Sequence, residues 1–149
     1  MKETETLAEL KEAVRGRTRT MLKKIPPDRL DWSPVEGALT LGQLLRHIWK
    51  SEEGVCKLMR GDWEYLERRL PEGILAVLGV VGYLETELRD LEEAHKKTLE
   101  LIRSLSEEEL NEEHFNQKFN IRKSTRESIF MLIEHEAHHR GQIALYLRI

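Results

Sequence analysis

The sequence predicts an all-α protein, a four-helix bundle with a long crossover between helices 2 and 3. Apolar residues recur at three- and four-residue spacing over four separate stretches. Two of these follow capping boxes, Thr40-x-x-Gln43 and Ser124-x-x-Glu127. No stretch shows convincing period-two alternation and there is no internal repeat, so the four stripes are most simply buried against one another.

The first helix is expected from about Thr6 to Ile25, with Leu7, Leu10, Val14 and Met21 on its stripe and Pro26-Pro27 forbidding continuation. Asp28 to Ala38 holds Pro34 and Gly37 and leads into the Thr40 cap; the second helix then runs from about Leu41 to Met59. Gly61, Pro71, Gly73, Gly79 and Gly82 punctuate the crossover, in which the apolar Gly73 to Gly82 stretch reads as a short helix, an extended pass or a partner-binding patch, with a piece that covers the bundle expected. Leu84, Leu88, Leu91, Leu101 and Leu105 mark a third helix from about Tyr83 to Leu105. Ser106 to Asn120 is acidic and irregular, and the fourth helix spans about Thr125 to Leu147.

A chain of 149 residues reads as a single domain, 1–149, burying roughly 70% of its unfolded surface. Its 40% hydrophobic and 34% charged residues argue against disorder. With 27 acidic against 24 basic residues and no basic run longer than a pair, an extended nucleic-acid footprint is disfavoured. The longest uncharged stretch, Gly73 to Leu84, is far short of the ~20 apolar residues of a membrane span. The lone Cys56 cannot close an intramolecular disulfide, and the polar opening MKETETLAEL lacks an apolar signal core, so a cytoplasmic location is expected.

Chemistry concentrates in His135-Glu136-Ala137-His138-His139 on the fourth helix. At ~100° per residue, positions 135 and 139 lie only ~40° apart, so their imidazoles leave one face a turn apart, a metal-chelating spacing. That face also carries Ser128, Leu132, Ile143 and Tyr146 and points inward. Two core histidines satisfied by hydrogen bonds are the plain alternative; a metal ion would satisfy both at once.

The third candidate is His47, beside the small residues Ser51 and Gly54 that leave space for a cavity. If the second and fourth helices are antiparallel, His47 lies ~18 Å from the Met59 end while His135 and His139 lie ~16 and ~22 Å from Ser124, so the levels coincide. The long crossover permits this relation by letting helix 3 run alongside helix 2. Cys56 lies ~180° around the helix from His47 and is expected to pack away from it. His95 and His114 stand among charged residues and are expected in solvent. Glu136 suits either a pair with Arg140 or service to the metal as acceptor or base, and Glu52 is matched with Arg17.

The segment also satisfies the H-E-x-x-H pattern of zinc proteases, but only ten residues follow His139 and none is a metal ligand type. A different resemblance covers nearly the whole chain. D-W-S-P-V-E-G-A-L-T-L-G-Q-L-L-R-H (Asp31 to His47), S-L-S-E-E-E-L (Ser104 to Leu110) and H-E-A-H-H-R-G-Q-I (His135 to Ile143) resemble the DinB-like (DinB/YfiT) superfamily of metalloenzymes. The resemblance implies a four-helix bundle, often a homodimer, binding a divalent ion through one histidine on helix 2 and two on helix 4, here His47, His135 and His139. It further implies thiol-dependent S-transferases and isomerases that use bacillithiol, mycothiol or glutathione.

The function expected is therefore a metal-dependent transferase acting on small molecules. One divalent transition metal, zinc or nickel favoured, would activate a low-molecular-weight thiol at the three-histidine site for attack on a small electrophile, with Glu136 as a nearby base. The rival readings are a non-catalytic metal-binding stress protein and a metal-dependent hydrolase using bound water.

Overall fold

All four apolar stripes form helices. In the computed structural model, which describes Met1–Ile149, α1 spans Glu3–Leu22, α2 Leu41–Leu58, α3 Glu64–Arg69, α4 Ile74–Leu78, α5 Leu84–Ser104, α6 Glu107–Asn111 and α7 Thr125–Tyr146. The long helices α1, α2, α5 and α7 make the bundle. Both expected capping boxes form: Thr40 Oγ1 accepts from the Gln43 amide at 3.1 Å while Gln43 Oε1 accepts from the Thr40 amide at 2.8 Å, and Ser124 and Glu127 do the same. A third, Ser106 with Glu109, opens α6 inside the segment expected to be irregular.

The first helix begins and ends three residues before its expected bounds. Glu3 and Glu5 complement the positive end of the helix dipole. Ile25, preceding a proline, is kept out of the helical region.

Helix α1 packs against α5 and α7, and α2 packs against the same two, so α1 and α2 face each other across the core. One apolar cluster joins Leu7 of α1, Val55 of α2, Ile102 of α5 and Ile129 of α7; the other joins Leu22, Leu41, Leu91 and Ile143. Helices α1 and α7 thus run one way, and α2 and α5 the other. Tyr146, at the end of α7, donates to Leu39 O at the start of α2 at 3.0 Å, as the antiparallel relation requires. The parallel neighbours α2 and α5 need the long crossover to carry the chain back along the bundle.

The crossover is anchored to the bundle at a few points. Leu78 is buried, Arg46 of α2 donates to Leu78 O at 3.1 Å and also to Val80 O, and buried Glu87 accepts from the Gly82 amide at 2.7 Å. Val81 lies so close to α2 that a Cβ on Gly42 would stand 2.6 Å from its Cγ1. Ile74, Leu75, Val80 and Tyr83 remain exposed, so the stretch covers the bundle only in part.

The structure adds an element the sequence reading lacks. Glu113–Asn116 and Ile121–Ser124 form an antiparallel hairpin, β1 and β2, which delivers the chain to the α7 cap. Each strand has four residues, too few for an alternating pattern to show, and the turn depends on Asn120 at φ 50°. No helix is long and apolar enough to cross a membrane.

Candidate metal centre

The antiparallel packing of α2 and α7 brings His47, His135 and His139 to one point. His135 Nε2 lies 3.0 Å from both His47 Nε2 and His139 Nε2, and the ligand atoms of the three all fall within 4.8 Å. Tetrahedral coordination at ~2.0–2.1 Å would set nitrogens ~3.3 Å apart, so the spacing suits one ion. His139 is buried and the other two are half-buried.

Hydrogen bonding alone leaves this cluster incomplete. His139 Nδ1–H donates to Gln142 Oε1 at 2.6 Å, which turns the lone pair of His139 Nε2 toward the other imidazoles. His135 Nε2, either as donor or as acceptor, can satisfy only one of its two neighbours, so one Nε2···Nε2 contact at 3.0 Å has no proton arrangement that satisfies it. A cation at the centre would satisfy all three lone pairs.

Burial, then the neighbouring imidazoles, lowers the pKa of His135 to about 3, and burial with His139 lowers that of His47 to about 4. Burial also lowers His139, against the opposing bond to Gln142. The site is thus neutral, and proton competition with a metal moves below the ordinary value of 6.5 expected for free imidazole.

A stability prediction follows for metal-free protein. Between pH 4 and 6.5 the unfolded chain protonates His47 and His135 while the folded one does not, so the unfolded state binds more protons and stability rises with pH. Urea midpoints are expected to fall from pH 7 to pH 5, and less so in His135→Ala. A midpoint unaffected by pH in both proteins would show that the imidazoles are not held neutral.

His138 is exposed and outside the cluster, as its helical angle predicts. Cys56 lies apart, its Sγ 3.4 Å from Thr98 Oγ1 of α5, and burial pushes its thiol pKa up.

Glu136 departs from the expected pairing. It pairs with Lys11 and Arg15 of α1, not with Arg140: Arg15 Nε donates to Oε1 at 2.7 Å and Lys11 Nζ to Oε2 at 2.6 Å. Burial alone would raise the Glu136 carboxyl, but the bond from Arg15 and the charge of Lys11 outweigh it and bring the pKa to about 2. A carboxylate so held is a poor proton acceptor, and its work is to anchor α7 to α1.

Glu52 shares the same two cations: Arg15 Nη2 donates to its Oε1 at 2.6 Å, and Lys11 makes a second bond. Its expected partner Arg17 is exposed. Two cations and two carboxylates therefore balance in the core, and they tie both histidine-bearing helices to α1 and fix their rotation.

His95 is buried, not solvated as expected. Its Nδ1 accepts from Lys11 Nζ at 3.3 Å and its Nε2–H donates to Glu12 Oε2 at 2.6 Å; burial, with Arg15 and Lys11, lowers its pKa. His114 is half-buried, its Nε2 3.0 Å from Thr125 Oγ1. Sequence reasoning missed Lys11, Arg15 and Gln142. The available signal was a Lys and an Arg four residues apart on the stripe of Leu7 and Val14, and a Gln one turn after His139.

The fold and site define a class: helical bundles that gather three imidazoles from two antiparallel helices at one point. The family model of the DinB superfamily matches residues 11–143, and the chain belongs to that superfamily. It is 25% identical over 137 residues to YjoA of Bacillus subtilis (strain 168), an uncharacterized protein, covering 90% of this chain and 82% of YjoA. The crystal structure of YjoA, described as DinB-like, superposes with a TM-score of 0.74 at 19% identity, covering 96% of this chain and 90% of that one. YfiT from Bacillus subtilis superposes with a TM-score of 0.76 at 14% identity over 99% of this chain and 89% of its own. It is described as "a probable metal-dependent hydrolase with an unusual four-helix bundle topology". A conserved protein of Enterococcus faecalis gives 0.73 at 16% identity, over 99% and 96% of the two chains.

Proposed function

We propose that this protein is a metal-dependent S-transferase-like enzyme in which His47, His135 and His139 hold one divalent transition metal, zinc or nickel, and activate a low-molecular-weight thiol against a small electrophile. The observation that carries this is the convergence of three neutral imidazole nitrogens that hydrogen bonds alone cannot satisfy. The ion supplies a 2+ charge, undiminished by neutral ligands, that lowers the pKa of a bound thiol or water. Three protein ligands also leave a position open, as in catalytic rather than closed structural sites.

The choice of thiol over water rests on the missing base. No carboxylate joins the three histidines, and Glu136 is occupied by Lys11 and Arg15. A coordinating thiol is deprotonated outright, whereas metal-bound water keeps a pKa of ~7 and is only partly ionised at neutral pH without a base. In the transfer, the thiol sulfur bonds to the electrophilic carbon, the leaving group departs with its electron pair, and the thiol proton passes to solvent. A hydrolase using bound water is the second reading, favoured by the description of YfiT.

Cobalt-loaded protein mixed with a small thiol is expected to show a sulfur-to-metal charge-transfer band at neutral pH, and His139→Ala is expected to lack it. Loss of 1-chloro-2,4-dinitrobenzene faster than its uncatalysed reaction with the same thiol should then require the metal-loaded protein. Cleavage of activated esters without thiol, and no band, would favour the hydrolase. Neither band nor turnover would favour a non-catalytic metal binder.

A further inference from the structure

The three-histidine centre has a neighbour of different character. A cavity of about 290 Å³ lies between α2, the crossover and α7, with His47 and His135 in its wall. Beyond these two its surface is almost wholly apolar, with Tyr65 and Val77 from the crossover, Ile121 from β2 and Leu132 from α7. The one charged residue in the lining, Lys50, is engaged by Glu53 at 3.8 Å and by the Trp49 ring at 4.6 Å. A charged ligand body therefore finds no free counter-charge there.

Gly54 controls the room. It lies seven residues after His47, on the same face of α2 two turns on, where a glycine weakens the helix relative to alanine. A Cβ at this position would meet a single atom, Tyr65 Cε1 at 3.5 Å, so the missing side chain is cavity space and not a backbone requirement.

We propose that this cavity binds the body of the electrophilic substrate, an uncharged aromatic or branched-alkyl group whose reacting end reaches His47 and His135, with Gly54 setting its size. The volume is about twice the ~150 Å³ that admits benzene, so a body of up to about two rings fits. Biological thiols are polar, which assigns the apolar cavity to the other reactant. The apolar binding rests on the cavity alone, while the reacting end rests on the metal-site reading and the choice of the electrophile as occupant on the transferase reading.

The test compares imidazole with 4-phenylimidazole on cobalt-loaded protein, read by visible absorption. Burial of the phenyl group is expected to tighten binding roughly tenfold or more. Gly54→Leu should bring the ratio of the two affinities near one, and the milder Gly54→Ala should reduce it while stabilising α2. Independently of metal, 1-naphthol added to the metal-free protein should shift the amide resonances of Gly54, Val77 and Ile121, and not in Gly54→Leu. Failure to take up cobalt would overturn the metal reading and leave the naphthol shifts to decide the cavity. Equal affinity of the two imidazoles in cobalt-loaded wild type, or naphthol shifts absent from these residues, would overturn the cavity assignment.

Discussion

Replacing Arg15 by alanine is expected to destabilise the protein by about 3–5 kcal/mol, because removing one partner of a buried ion pair leaves the other charge uncompensated. Arg15 is fully buried and holds Glu136 at 2.7 Å, Glu52 at 2.6 Å and Leu91 O at 2.9 Å. Without it, two buried carboxylates share the single positive charge of Lys11, with one neutral hydrogen bond from Thr98 to Glu52. For a chain of this size such a loss would lower Tm by roughly 6–20 °C. Removing Arg68, whose partner Glu64 is as exposed as itself, should change little. Thermal and urea unfolding of both variants check this. A wild-type midpoint for Arg15→Ala would mean that the carboxylates are protonated or hydrated in solution.

His135→Ala is expected to weaken binding of zinc or cobalt by more than a hundredfold, since even groups that merely support a ligand are worth 10–100-fold. His135 Nε2 stands 3.0 Å from the Nε2 of each of the other two imidazoles, so its loss removes the ligand nearest to both. His47→Ala and His139→Ala should behave alike, while His138→Ala and Cys56→Ser keep about one metal per chain. Metal content after dialysis and competition with a chelator give the measurement. If His138→Ala emptied the site and His139→Ala did not, the helical-face assignment would fail.

Much of this site is legible along the chain because the bundle is built from regular pieces. A helix converts sequence spacing into angle and height, so the relation of His135 to His139 is local, and matching levels along two rods is enough to bring His47 to them. The capping boxes are local too, each closed within four residues. The buried Lys11, Arg15, Glu52 and Glu136 are different. Each could as well have faced solvent or paired within its own helix, as Glu136 would with Arg140, and the arrangement appears only when α1, α2 and α7 are packed together.

The set of long helices, the turn-by-turn placement of the three imidazoles and the need for a crossover between α2 and α5 are all written in local spacing. Tertiary structure decided which buried charges neutralise one another, that Gln142 orients His139, that β1 and β2 pair, and that the crossover folds over α2 to enclose an apolar cavity beside the histidines. The division has a physical cause. Backbone hydrogen bonds and side-chain periodicity act over a few residues and are written in neighbouring letters. Charge compensation and cavity shape depend on groups up to 125 positions apart, as Lys11 and Glu136 are, and take their values only from the packing that brings them together.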